Sequence, residues 1–246
     1  MNNAARPLLE VIACTLEDAI AAQQGGADRI ELVRDLGRGG LTPDVALAKA
    51  VVNAVRIPVR VMIREEEPFV VSSDAIAQRL CEAAAAMSAL AVDGLVLGFL
   101  DASGAVDENL LERVLRATGS TRVTFHRAFE EVADPVAAFA ALRRLPQVDR
   151  VLVNGGGGAA AERLARLQHL AALAPPGIRV LSAVGGDRDL LSAVLARPEL
   201  REAHVGRAAR EPETVDGPVS AAKVLELVSR RDAAQTRPGA KRSAPG

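Results

Sequence analysis

The chain has 246 residues, of which 49% are hydrophobic, and its formal net charge is -1. This near-neutral charge gives no field that would attract nucleic acid, and the large aromatic rings of tryptophan and tyrosine, on which bases could stack, are absent. No run of about eighteen apolar residues lacks a charge or a glycine, so we expect no membrane partner either.

Cysteine usage and the first residues indicate the cellular compartment. Cys14 and Cys81 are the only cysteines, too few for a disulfide framework. The N-terminus has neither the charged stretch nor the apolar run of a signal peptide. We therefore expect a cytoplasmic protein.

Short β-rich segments alternate with longer helical patterns from residue 8 to residue 230. Two of the helical patterns have clear starts: Thr42 precedes a proline and the pattern 43–55, and Asp134 precedes a proline and the pattern 134–144. The predicted strands are residues 8–13, 28–33, 58–64, 93–99, 121–126, 148–153, 177–183 and 201–206.

Eight alternating pairs predict an α/β fold, the TIM (β/α)8 barrel. Strands that are joined through helices pair in parallel, and eight of them close into a barrel of about this chain length. A doubly wound open sheet is the alternative, but no glycine fingerprint follows the first strand. We assign residues 1–232 to a single barrel and expect residues 233–246, which are small, polar and basic, to form a disordered tail.

Alternation along the predicted strands identifies polar side chains that point into the barrel. Ile30 and Leu32 share the face toward the helices, which leaves Glu31 inside, at a position where a charged group requires an explanation. The other inward residues are Glu10, Arg60, Met62, Arg64, His126, Asn154 and His204. Because the active site of such a barrel lies at the C-terminal ends of its strands, we expect Glu10, Glu31, Arg64 and His126 to share one pocket there.

Five of these residues also have a structural interpretation. Glu31 and Arg64 could form a buried ion pair that braces the barrel. His126 and His204 could be core histidines whose nitrogens are satisfied, and Asn154 could cap the turn into the glycine run 155–158.

A second group of residues suggests ligand binding. Loops that follow strands seven and eight often hold phosphate in this fold, because free N–H groups attract an anion there. Asp187, next to the glycine pair of strand seven, would oppose an anion. The predicted ligand-binding residues are Asn154, Gly185, Gly186, His204 and Arg207.

A metal site is a further alternative. Copper(I) prefers thiolate, thioether and imidazole ligands, which Cys14, Met62, His126 and His204 could supply near the upper barrel. The spacing of these residues matches no ligand motif, so the identity of a metal stays unknown. Cys81 lies in an apolar helical pattern and is expected in the core.

Several segments together resemble one known family. They match in order and spacing through about residue 153, and they read LLEV at 8–11, GGADRIEL at 25–32, GGLTP at 39–43, MIR at 62–64 and TFHRAF at 124–129. In these segments the sequence resembles the CutC family. The resemblance implies a cytoplasmic TIM barrel, often homo-oligomeric, with a copper homeostasis label and proposed copper(I) binding, and it places the family's motif residues at Glu10, Glu31, Arg64 and His126.

The chain departs from the family pattern where sulfur ligands are expected. Val33 stands where the family often has a cysteine after strand two, and residues 12–13 lack the cysteine of strand one. These losses weaken copper as a cofactor. An enzyme is the alternative, in which Glu31 or His126 acts as acid or base in a proton abstraction or lyase-type step and Arg64 holds a substrate oxygen. The partner is then a small molecule instead of a metal ion.

Overall fold

The computed structural model describes residues 6–236, and its centre is a closed barrel of eight parallel strands. Each strand pairs with the next one along the chain, and the eighth pairs with the first. The strands are β1 (Leu8–Ala13), β2 (Arg29–Leu32), β3 (Val59–Met62), β4 (Gly94–Leu97), β5 (Arg122–Phe125), β6 (Val148–Val153), β7 (Arg179–Ala183) and β8 (Glu202–Val205). This closure confirms the predicted barrel and excludes the open sheet.

Helices alternate with the strands and form the outer layer. They are α1 (Leu16–Gln24), α2 (Val45–Ala54), α3 (Asp74–Ser88), α4 (Glu108–Leu115), α5 (Pro135–Leu142), α6 (Ala160–Leu173), α7 (Arg188–Leu195) and α8 (Ala221–Thr236). Because α8 continues to Thr236, residues 233–236 are helical, although the sequence assigns them to the tail. The rest of that predicted tail, residues 237–246, lies outside the described residues.

The two predicted helix starts have different outcomes. Asp134 caps α5 as expected, and its side chain accepts hydrogen bonds from the N–H groups of Val136 and Ala137 at 2.8 and 3.2 Å. The prediction for Thr42 is wrong, because α2 begins only at Val45. The Thr42 hydroxyl instead accepts a hydrogen bond from the Arg64 N–H at 2.8 Å, so it ties this loop to the end of β3.

The apolar side chains form two separate layers, one between the barrel and the helices and one inside the barrel, as the alternation of residues along the strands predicts. Ile30 and Leu32 belong to the large core between the barrel and the helices. Met62 and Val96 belong to a small separate cluster, which alternation places inside the barrel. The upper interior therefore has an apolar wall beside the polar residues.

The lower interior is filled by charged side chains. Arg60 is fully buried and binds both oxygens of Asp149 at 2.7 and 2.8 Å, the Thr124 hydroxyl at 2.7 Å and Asp93 at 3.0 Å. Asp93 comes just before β4, Asp149 is the second residue of β6, and Thr124 lies within β5. Since an unpaired buried charge is costly, the pairing of Arg60 keeps this part of the barrel stable.

A second set of ion pairs continues the same layer across the barrel. Arg150 binds both oxygens of Glu202 at 2.5 and 3.1 Å, and Arg29 lies 3.5 Å from Glu202 and also binds Glu10. We call this layer the ionic floor, and it consists of Glu10, Arg29, Arg60, Asp149, Arg150 and Glu202. The ionic floor fills the lower interior of the barrel and lies below the polar residues at the C-terminal ends of the strands.

Candidate active site

A cavity of about 730 Å³ opens at the C-terminal ends of the strands, and we call it the mouth cavity. Its size suits a small molecule. Eight of the nine residues that the sequence predicts for catalysis or ligand binding line it: Glu31, Arg64, His126, Asn154, Gly185, Gly186, His204 and Arg207. Glu10 does not line it, so the expectation that its tip shares this pocket is wrong, because Glu10 turns toward Arg29 in the ionic floor.

His204 connects Glu10 to the cavity. Its Nδ1 lies 2.8 Å from Glu10 Oε1, and its Nε2 lies 3.4 Å from Glu31 Oε2. All three side chains are buried. The imidazole thus stands between two carboxyl groups, with Glu10 behind it and Glu31 on the cavity wall.

The surroundings raise the pKa values of Glu31 and His204 and lower that of Glu10. Burial raises the pKa of Glu31 to about 7, and the neighbouring Glu10 carboxylate adds to that effect while His204 opposes it. Burial alone would also raise the Glu10 pKa, but Arg29 and His204 outweigh it and hold this pKa well below its usual range. Although burial opposes a charge on His204, the two carboxylates raise its pKa. Glu10 therefore stays ionised and Glu31 exchanges a proton near neutral pH.

One oxygen of Glu31 lacks a hydrogen-bond partner. Glu31 Oε1 is buried and has no hydrogen-bond partner among the described residues. A buried oxygen without a partner is unusual, because its desolvation is not compensated. A substrate proton on the cavity side would satisfy it.

His126 is a neutral hydrogen-bond donor. Its Nδ1 accepts from the Ala128 N–H at 3.2 Å, so the ring proton lies on Nε2. Burial lowers the pKa of His126 to about 3, and the positive charge of Arg64 adds to this effect. Nε2 is buried and has no partner within the described part of the chain, so it can donate to a ligand oxygen. The interpretation of His126 as a fully satisfied core histidine is therefore wrong.

Arg64 does not form the ion pair with Glu31 that is the alternative in the sequence analysis. Its guanidinium donates to the carbonyl oxygens of Gly39, at 3.1 Å, and Glu67, and it lies 4.8 Å above the ring centre of Phe69. These contacts hold the Arg64 charge at the side of the mouth cavity. Burial and the nearby Arg127 lower its pKa.

Phe69 is a residue of the site that sequence analysis misses. It lines the mouth cavity, and its ring centre lies 5.1 Å from that of His126. The loop after β3 has no regular alternation, so no periodic signal identifies this side chain. Its position beside a loop arginine and a strand-end histidine appears only when the chain is folded.

Asn154 caps the turn into the glycine run 155–158, which is one of the two interpretations that the sequence gives for this residue. Its Oδ1 accepts a hydrogen bond from the Gly156 N–H at 2.6 Å. Arg163 donates to the Asn154 carbonyl oxygen at 3.0 Å and to that of Ala183 at 3.0 Å. Arg163, a second residue that sequence analysis misses, thereby fixes the loops after β6 and β7 relative to each other.

The sulfur ligands expected for copper(I) do not gather here. Cys14 lines a separate pocket beside α1, and its Sγ lies 3.4 Å from a guanidinium nitrogen of Arg210. Met62 is on the cavity wall, but His126 uses Nδ1 for a backbone contact. Cys81 packs against the large core, as expected.

One group of potential metal ligands occurs among the described residues. Glu10, Glu31 and His204 place ligand atoms within 4.8 Å of one another. These are hard oxygen ligands with one imidazole, and the Arg29 cation binds Glu10. The set does not fit copper(I), and both nitrogens of His204 already face carboxylate oxygens.

Comparison with known proteins identifies the family. The model of the CutC family matches residues 7–209. This chain belongs to the CutC family. A CutC family protein of Mesorhizobium japonicum is 34% identical over 85% of this chain and 81% of its own length, and one of Xylella fastidiosa is 37% identical over 72% and 66%.

A solved structure supports the same assignment. The CutC protein of Streptococcus agalactiae, which carries a copper homeostasis name, aligns with a TM-score of 0.72 and 25% identity over 81% of this chain and 98% of its own. The family model extends past residue 153, where the resemblance in the sequence thins, to residue 209, just beyond β8. No helix among residues 6–236 of this CutC protein is long and apolar enough to cross a membrane.

Proposed function

We propose that this CutC protein is an acid–base enzyme that acts on a small polar carbon compound in the mouth cavity. One observation carries the proposal: Glu31 lines the cavity and has a buried carboxyl oxygen without a hydrogen-bond partner among the described residues, and the pKa of this carboxyl group is raised to about 7. A general base with a pKa near the working pH is the most effective. A structural brace would have no reason to leave that oxygen free.

The proposed reaction is removal of a proton from a carbon next to a carbonyl group. The Glu31 carboxylate takes the proton, and the electron pair of the C–H bond moves through the carbon framework onto the carbonyl oxygen. The Nε2–H of His126 donates a hydrogen bond to the resulting enolate oxygen. Return of the proton to this or a neighbouring carbon completes an exchange or an isomerisation without any oxidant or reductant.

The remaining residues position these two groups. Glu10 holds Nδ1 of His204, and Arg29 holds Glu10, so the imidazole stays directed at Glu31. We regard Glu10 as a positioning residue, since it does not reach the cavity. Arg64 keeps a positive charge on the wall, where it disfavours protonation of His126.

Copper binding is the function that the family name suggests, and the donor set favours the enzyme instead. The carboxylates of Glu10 and Glu31 are poor partners for a soft cation. The cytoplasmic location and the homo-oligomeric assembly that the resemblance implies form part of our proposal, and they suit an enzyme equally well.

Solvent exchange tests the proposed chemistry without knowledge of the natural substrate. The full chain is incubated in D₂O with a panel of small aldoses, ketoses and 2-keto acids and their phosphates, and proton NMR measures loss of the signal next to the carbonyl. We expect exchange of at least one compound, and we expect Glu31→Gln to slow it by about 10²- to 10⁴-fold.

A matched variant separates a general effect of charge from the role of the base. Glu82→Gln removes the same charge from an exposed position on α3 and should exchange at the wild-type rate. If no compound exchanges, or if Glu31→Gln exchanges as fast as the wild type, the acid–base proposal is wrong.

A further inference from the structure

The rim of the mouth cavity between β7 and β8 carries polar groups that the proposed proton transfer does not use. Ala183 pairs with His204 in the strand register. The turn at Gly185 and Gly186 and the side chain of Arg207 therefore follow neighbouring strand ends at the same level. All three line the mouth cavity, on the side where His204 holds Glu31.

Arg207 differs from the other arginines of this cavity. Arg38 binds Glu67, Arg127 binds Glu130, and Arg64 and Arg163 bind backbone carbonyl oxygens. The Arg207 side chain is exposed at the rim and makes no hydrogen bond or ion pair within residues 6–236. Its five donors are therefore available to a ligand.

The neighbouring turn presents free backbone donors. The N–H groups of Gly185 and Gly186 donate to no other group in the described part of the chain. Gly185 has a φ of +66°, which favours glycine, and a Cβ at either position would meet open space. An anion can therefore approach the backbone here without meeting a side chain.

Asp187 is the acidic residue that could repel an anion from this turn. Its Oδ1 accepts hydrogen bonds from the N–H groups of Asp189, at 3.1 Å, and Leu190, at 2.9 Å, in the first turn of α7. Its other oxygen lies 3.8 Å from Arg163. The Asp187 carboxylate is thus engaged by partners within the fold.

We propose that Arg207 and the two glycine N–H groups bind the phosphate of a small phosphate monoester. The Arg207 guanidinium can donate to two terminal oxygens of the phosphate, and the glycine N–H groups can donate to the third. A carboxylate has only two oxygens, so it would leave the glycine N–H groups without an acceptor. The cavity of about 730 Å³ leaves room for the carbon part of the ligand beside Glu31. That second contact rests on the proposed acid–base function, whereas the phosphate contact does not.

Calorimetric titration of the full chain tests the phosphate site directly. The probes are inorganic phosphate, ribose 5-phosphate and unphosphorylated ribose. We expect both phosphates to bind and ribose to bind far more weakly, and we expect Arg207→Met to weaken phosphate binding by at least about tenfold. Gly186→Leu should weaken it as well, because its side chain would occupy the open space without removing a charge.

Two further variants make the result specific. Arg127→Met removes the same charge from the same cavity, but Arg127 already has a partner in Glu130, so phosphate binding should stay within about twofold of wild type. Glu31→Gln should bind inorganic phosphate normally, even where it abolishes exchange.

These variants also separate the two proposals. Loss of exchange in Glu31→Gln with no phosphate binding by the wild type would overturn the phosphate site and leave the acid–base function intact. Equal weakening of phosphate binding by Arg127→Met and Arg207→Met would also overturn the site, because it would show that the overall positive charge of the cavity attracts phosphate without a specific contact to Arg207.

Discussion

Glu31 has two oxygens with different surroundings. Oε2 faces Nε2 of His204 at 3.4 Å, whereas Oε1 has no partner in the described residues. The contact with His204 favours the charged carboxylate form of Glu31, whereas burial disfavours it. Because these effects nearly balance at neutral pH, a small change at this one side chain alters both the charge of the site and the stability of the fold.

The raised pKa of Glu31 predicts a pH dependence of stability. Below the ordinary value of 4.5 both the folded and the unfolded chain hold the proton. As the pH rises toward about 7, the unfolded chain releases it first, so the unfolding free energy falls. We expect the wild type to lose on the order of 2 kcal/mol relative to Glu31→Gln between about pH 5 and pH 7.

Urea denaturation at both pH values measures this difference. Far-ultraviolet circular dichroism should first show that Glu31→Gln retains the native secondary structure. Equal pH slopes for the two proteins would mean that Glu31 has an ordinary pKa in the folded state.

The sequence predicts which face of a strand a residue occupies more reliably than how far its side chain reaches. Alternation correctly directs Glu31 and His126 toward the interior, because period two is a property of any strand. It places Glu10 in the same pocket because it contains no information about height along the barrel axis. The position of the Arg64 guanidinium likewise depends on its hydrogen bond to the Gly39 carbonyl oxygen, and alternation along β3 contains no information about where that loop folds.

At the scale of elements, helix starts show how local signals compete. An aspartate followed by proline caps α5, whereas a threonine followed by proline at Thr42 binds the backbone of Arg64, just after β3. The motif is the same in both, but only tertiary contact decides which partner the side chain takes. Such competition explains why boundaries are predicted less well than the elements themselves.

The cap of α5 gives a test at this scale. Asp134→Ala removes the side-chain oxygen that accepts hydrogen bonds from two backbone N–H groups and should cost about 1 kcal/mol of unfolding free energy. Asp44→Ala is the matched control, because Asp44 precedes α2 and makes no capping hydrogen bond. Urea denaturation should show a smaller loss for the control, and equal losses would show that the Asp134 contact adds nothing.

The whole molecule depends on the ionic floor as well as on its apolar core. Arg60 contacts side chains from β5 and from the starts of β4 and β6, so it joins parts of the chain that are far apart in sequence. Alternation predicts that Arg60 points inward, but its partners Asp93 and Asp149 lie at strand starts that are less easily placed. Eight strands and eight helices follow from the sequence pattern, whereas this network requires the closed barrel.

Loss of Arg60 should therefore destabilise the entire barrel. Arg60→Leu leaves Asp149 with Arg150 as its remaining close partner and leaves the buried Thr124 hydroxyl without its contact to Arg60, so it should cost about 3 kcal/mol. Arg122→Leu removes an exposed arginine that lies 4.0 Å from the same aspartate, and it should change the unfolding free energy by less than about 1 kcal/mol. Chemical denaturation of both variants measures the contrast, and a loss below about 1 kcal/mol for Arg60→Leu would contradict it.

The ionic floor also affects how stability responds to temperature. Apolar surface that becomes hydrated on unfolding raises the heat capacity, whereas polar surface lowers it. A barrel with arginines and carboxylates in its lower interior exposes less apolar surface there than one filled with branched aliphatic side chains. Its heat capacity of unfolding is correspondingly smaller, which gives a flatter stability curve and shallower losses on both cooling and warming. Since hydration of charged groups becomes less favourable with heat, the same ion pairs are least costly to bury when the protein is warm.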